Sequence, residues 1–275
     1  MAEKDVSQKI LESKNDVFAD IVNGLCFNGK QIIKSDELQD FTGVTSYEDK
    51  KKYRSTQRDI TKLWKKGIIN IACIGIENQI SKDKTMPLRV IAYDGAQYKI
   101  QVNDKVKHYY PVVTLVLYFG KNKWRKPRRL FDLFDVPPEL KPFANDYKMN
   151  LFDISHMTER EASVFKSDFW HVADYFSQIH TTKNYIPSKA PLKHPEETFK
   201  LMSFLTGNED LDFELDKGGP NTMYDAFKAA QEAAAQERAL KDIRSLMDTC
   251  NWTAKQAMDA LKLSVEEQKK YLMLL

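Results

Sequence analysis

Apolar positions recur along this chain with two periods, and the period that holds in each stretch names the element to expect. From Lys14 to Phe27 the text KNDVFADIVNGLCF sets Val17, Phe18, Ile21, Val22 and Leu25 on one helical stripe, with Asn15 or Asp16 placed to cap its start. Asn28-Gly29 ends that helix, KQIIK offers a short strand, and the polar text from Ser35 to Lys52 has no clear period. STQRDITKLW, Ser55 to Trp64, is short and β-compatible; after Lys65-Lys66-Gly67 follows the apolar run IINIACIGIENQI. Together they predict a hairpin with a buried second strand. Met86 to Gln101 reads as helix with Pro87 in its first turn, and YPVVTLVLYFG, closed by Gly120, is the strongest strand in the chain. The order helix, three strands, helix, strand predicts a mixed α/β core with the apolar strands inside.

Beyond Gly120 the pattern changes. KNKWRKPRR is basic, LFDLFDVPPELKPF is broken by prolines, and helical periods then dominate. SDFWHVADYFSQIH places Phe169, Val172, Tyr175, Phe176 and Ile179 on one face, and HPEETFKLMSFL does the same with Phe199, Met202 and Leu205. Gly218-Gly219-Pro220 reads as a hinge before an alanine-rich helix, and two short helices are expected around Leu263-Ser264.

Composition narrows little. The 275 residues carry 42 basic against 39 acidic side chains, a net charge of +3, so a nucleic-acid partner must be sought in local clusters. Cys26, Cys73 and Cys250 form no CxxC pair and read as reduced thiols. The N-terminus is charged throughout, and no stretch reaches the roughly 18 apolar residues of a membrane span, so a cytoplasmic protein without a membrane partner is expected. The five histidines show no zinc-ligand spacing.

Candidate chemistry sits at the end of the buried strand. Side chains alternate along a strand, so Glu77 and Gln79 share a face while Asn78 points away. Asp59 lies on the preceding strand; if the two strands are neighbours, the carboxylates of Asp59 and Glu77 can share a hard divalent cation such as Mg²⁺. Two acids near strand ends are equally what a solvated sheet edge presents, but Glu77 closes a run so apolar that it needs a partner. Arg89 and Tyr93 lie one helical turn apart and could meet a phosphate, or serve only in packing. Lys121, Lys123, Arg125, Lys126, Arg128 and Arg129 form a run without an acid around Trp124, which suits DNA phosphates as well as a solvated face.

GIENQISKDKTMPLRVIAYD resembles the recombination-promoting nuclease/putative transposase family, a group of PD-(D/E)XK nucleases with Glu-x-Gln, a short polar loop, Met, then Arg and Tyr four residues apart. KNDVFADI, QRDITKLW, YPVVTLVLYFG and ELKPFANDYKMNLFDI extend the match to about two-thirds of the chain. The resemblance implies a restriction-endonuclease-like α/β core, a mixed sheet flanked by helices, over residues 1–120. A helical extension over 121–217 and a helical tail over 218–275 complete the expected organisation. It implies a Mg²⁺- or Mn²⁺-dependent DNA endonuclease with Asp59 and Glu77 as metal ligands and Gln79 where most such nucleases carry lysine. Asp16, Arg89 and Tyr93 are its auxiliary residues. The competing expectation is a non-cleaving module that binds DNA or protein, and the C-terminal helices are a candidate surface for homo-oligomers.

Overall fold

The computed structural model of the protein describes residues 11–41, 45–47, 54–56, 60–182, 185–213 and 218–275. Helix α1, Asn15–Phe27, is the stripe read from the sequence: Val17, Phe18, Ile21 and Val22 are buried. Its cap is not the expected one. Lys14 holds the N-cap position without a side-chain capping bond, the Asn15 side-chain amide donates to the Leu38 carbonyl at 3.0 Å, and Asp16 is engaged elsewhere. Asn28 ends the helix in the left-handed conformation. KQIIK is not a strand: Asn23, buried in α1, donates to the Ile33 carbonyl and accepts from the Ile32 and Ile33 amides, satisfying that backbone without a sheet partner. The strand falls instead in the polar stretch, as β1, Leu38–Asp40, where only Leu38 is buried.

The other strands are β2, Thr45–Tyr47, β3, Arg54–Thr56, β4, Ile60–Lys66, and β5, Ile69–Gln79; helix α2, Met86–Asn103, then leads to β6, Val112–Tyr118, and β7, Asn150–Asp153. The main sheet has the order β1-β4-β5-β6-β7, antiparallel through β5 and parallel from β5 to β7. β2 and β3 form a separate antiparallel ribbon against α2. The hairpin between β4 and β5 forms as expected. β5 is central and buried on both sides from Ala72 to Gln79, which explains its near-continuous apolar text. Because β7 pairs with β6, the sheet runs on past residue 120, into the stretch expected as a helical extension. Its NLFD is too short to stand out as a strand without the neighbour that pairs with it.

Helices follow: α3, Glu159–Ala162, α4, Phe169–Gln178, α5, Pro195–Thr206, α6, Met223–Cys250, α7, Ala254–Ala260, and α8, Val265–Leu272. One face of the sheet, with Ile74, Ile76, Leu115 and Leu117, joins α1, α4 and α5 in the larger core. On the opposite face Met86, Val90 and Tyr93 of α2 pack with Val116, Tyr118, Trp124 and Met149. The end of α6 packs on α7 and α8 through Ile243, Ala257, Met258 and Tyr271. No helix among the described residues is long and apolar enough to cross a membrane.

Candidate active site at the end of the central strand

The parity of β5 decides what meets at its end. Ile74 and Ile76 enter the larger core, and Asn78 follows them to donate to the Glu12 carboxylate at 3.0 Å. Glu77 and Gln79 therefore turn to the face covered by α2, with Glu77 only 3% exposed. A carboxylate so buried is tolerable only when hydrogen-bonded and charge-compensated. The Arg89 guanidinium forms an ion pair with Glu77 Oε1, the Gln79 amide donates to the same oxygen at 3.2 Å, and the Tyr93 hydroxyl reaches it at 3.4 Å. Arg89 Nε and Nη2 also donate to Tyr93 Oη, at 3.2 and 2.9 Å. The one-turn spacing of Arg89 and Tyr93 thus places both on Glu77.

Asp83, which sequence reasoning passed over, completes the arrangement. Its carboxylate accepts from Arg89 Nη1 at 3.3 Å and from the Thr85 amide and hydroxyl at 2.8 and 2.6 Å. Burial works to raise the Asp83 pKa, and the Thr85 and Arg89 hydrogen bonds outweigh it, so the carboxyl titrates below its ordinary value. Burial likewise acts to lower the pKa of Arg89, yet its bond to Tyr93 and the charge of Glu77 raise it. The signal for Asp83 was Asp-x-Thr immediately before a Met-Pro helix start, a pattern in which an Asp side chain bonds the backbone two residues on.

Asp59 lies outside the described residues. Ile60, its successor in the chain, is paired with Ile76, the residue before Glu77. Asp16 is tied to the segment before α5: Lys193 Nζ donates to it at 2.6 Å, and His194 Nε2 lies 3.0 Å from the same oxygen. Burial acts to raise its pKa, but the Lys193 and His194 hydrogen bonds and charges prevail and bring it from 3.8 to about 2. Among the described residues no contact joins Asp16 to Glu77.

The basic run leaves the sheet at the edge where β5 ends. Register sets Gln79, Tyr118 and Asp153 in one row across β5, β6 and β7, and the Phe119 amide bonds the Gln79 carbonyl at 2.8 Å. Gly120 is there because nothing larger fits: a Cβ would stand 2.6 Å from the Ile80 carbonyl oxygen and 2.1 Å from Tyr118 Oη. Trp124 is buried edge-on against Tyr118, its amide donating to Asp153 at 3.1 Å and its indole to the Lys126 carbonyl at 2.9 Å. Asp153 also holds His156, with Nδ1 at 2.7 Å. Lys121, Lys123, Arg125, Lys126 and Arg128 surround this anchor and face solvent; Arg129, also exposed, pairs with Asp146. A depression of about 500 Å³ between Phe131, Phe134, Val136 and Lys141 includes none of the site residues.

A buried strand-end carboxylate and amide, an arginine and tyrosine from the following helix, and a cationic loop thus gather at one sheet edge. Residues 47–181 match the family model described as putative transposase, YhgA-like. Over these residues, which include every candidate site residue but Asp16, the chain is similar to that family. No curated protein and no solved structure matches the chain.

Proposed function

We propose that the chain is a metal-dependent DNA endonuclease of the transposase-like, recombination-promoting type, on a PD-(D/E)XK core. The observation that supports this most is Glu77, buried beside Gln79 at the end of the central strand and met by Arg89 and Tyr93. A hard divalent cation suits that donor chemistry, because Mg²⁺ or Mn²⁺ takes oxygen ligands and relies on one or two carboxylates plus phosphate. Glu77 and Asp59 are the residues that would hold it; the pairing of Ile60, which follows Asp59 in the chain, with Ile76, which precedes Glu77, supports this reading. Bound there, the cation supplies Lewis-acid polarisation of the scissile phosphate and acidifies a water. Gln79 orients water or phosphate through its amide and cannot act as a base. Arg89 and Tyr93 offer hydrogen bonds to a phosphate oxygen, and the cations from Lys121 to Arg129 hold the DNA backbone. Incubation of supercoiled plasmid with Mg²⁺ tests the reading: nicking is expected and is lost in Asp59→Ala and in Glu77→Ala. Cleavage that persists in both variants refutes the assignment.

The second reading, a DNA-binding module that does not cut, is favoured by the way three donors already converge on one oxygen of Glu77, as in a structural ion pair. It predicts chelator-resistant binding of DNA with no cleavage under Mg²⁺ or Mn²⁺.

A further inference from the structure

We infer that Arg89 is a displaceable latch on Glu77 and that Asp83 is the anchor that takes it up, so that the site admits a divalent cation only as the guanidinium moves away. This rests on the metal-site reading above. The Arg89 side chain is 39% exposed while Glu77 is 3% exposed, so the ion pair joins a buried carboxylate to a side chain that reaches solvent. It bonds Glu77 through Nη2, Asp83 through Nη1, and Tyr93 through Nε and Nη2. One planar fork thus holds two acids at once, and the Asp83 carboxylate is fixed by Thr85 and does not depend on Arg89 for its place. A cation seeking Glu77 must compete with a positive charge already on Oε1, whereas the Asp83 side can retain the guanidinium after Glu77 is released. Released from Glu77, Nη2 becomes a donor for a phosphate oxygen, which couples metal entry to arrival of the DNA backbone. Arg89 and Asp83 are positioning residues in this scheme: one guards the ligand and the other sets how readily the guard leaves.

Binding of Mn²⁺ to the intact chain, followed by the loss of the free-ion electron paramagnetic resonance signal, tests this without any cleavage. Arg89→Gln is expected to bind Mn²⁺ roughly tenfold more tightly than the parent chain, the equivalent of about 1.4 kcal/mol. Arg89→Lys, which keeps the charge but loses the fork, should shift affinity the same way by less and serves if the glutamine variant does not fold. Asp83→Asn should weaken binding in the parent chain and change it little in the Arg89→Gln background, because its effect runs through Arg89. Equal or weaker binding by both Arg89 variants overturns the latch, and so does an Asp83→Asn effect of the same size in both backgrounds. Glu77→Gln separates the two levels of the claim: if it binds Mn²⁺ as the parent does, the metal site itself is misassigned and the latch falls with it.

Discussion

Asp16→Asn removes a charge while keeping shape, and its consequence can be worked from the neighbours it bonds. Asp16 on α1 is joined to Lys193 and His194, which lie 177 and 178 residues further along the chain. Its carboxyl titrates at about 2, against an ordinary 3.8. A depression of that size contributes at most about 2.4 kcal/mol of stability at neutral pH. The Asp16 side chain is 32% exposed and that of Lys193 71%, so solvent screening reduces the contribution to about 1 kcal/mol. The sign follows from the direction of the shift: the contribution is complete above the unfolded value of 3.8 and disappears as pH falls through the folded value near 2. Urea unfolding of parent and variant should therefore show a gap of about 1 kcal/mol at pH 7 and at pH 5, closing progressively below pH 4. An unchanged gap from pH 7 to pH 3, or none at pH 7, refutes the account. Plasmid nicking by the folded variant adds a second check, because loss of nicking with undiminished stability would give Asp16 the auxiliary catalytic role that the resemblance implies.

Further substitutions probe other parts of the fold. Gly24→Ala gains helix propensity, but its Cβ would stand 2.7 Å from the Phe165 ring; a net loss of about 1–3 kcal/mol by chemical denaturation is expected. Lys62, fully buried in β4 and paired with the exposed Asp40, should tolerate Lys62→Met with stability held or raised. Asp40→Asn should lower it by about 2 kcal/mol by leaving the ammonium without its counter-charge, which a thermal melt will read. Replacing Lys121, Lys123 and Arg125 with alanine should flatten the dependence of DNA affinity on salt, as measured by filter binding. The log–log slope should fall by about 0.9 for each phosphate that is no longer neutralised.

Much of this architecture was legible because its signals are local. The stripe of α1, the alternation that separates Glu77 and Gln79 from Asn78, and the one-turn spacing of Arg89 and Tyr93 are properties of a few neighbouring residues, and the structure bears them out. The readings that failed depend on partners distant in sequence. KQIIK has strand-like text, but Asn23 supplies its hydrogen bonds from α1. β7 is four residues long and acquires its identity from β6, and Trp124 looks like part of a basic surface until Asp153 and Tyr118 bury it. Asp83 is different: its Asp-x-Thr turn is a local signal, but that signal marks a helix start and says nothing of the Arg89 guanidinium six positions on.

Topology accounts for where the chemistry gathers. In an open sheet with parallel strands, the carboxyl ends of those strands leave a crevice, since each chain must turn away there into its crossover. Here β5, β6 and β7 run parallel, and their last residues Gln79, Tyr118 and Asp153 share one row. Each turns to a different purpose from that common edge. The β5 end carries the carboxylate and amide, the loop after β6 carries the cations, and Asp153 at the end of β7 fixes that loop through the Trp124 amide. The cations are therefore held to the same rigid edge as Glu77 by two hydrogen-bonded strands, which is a stronger constraint than proximity in sequence could supply. Asp153→Ala, which removes the acceptor, should accordingly weaken DNA affinity in a gel shift, although the side chain itself carries the wrong charge to touch phosphate; unchanged affinity would mean that the loop holds its place without that bond.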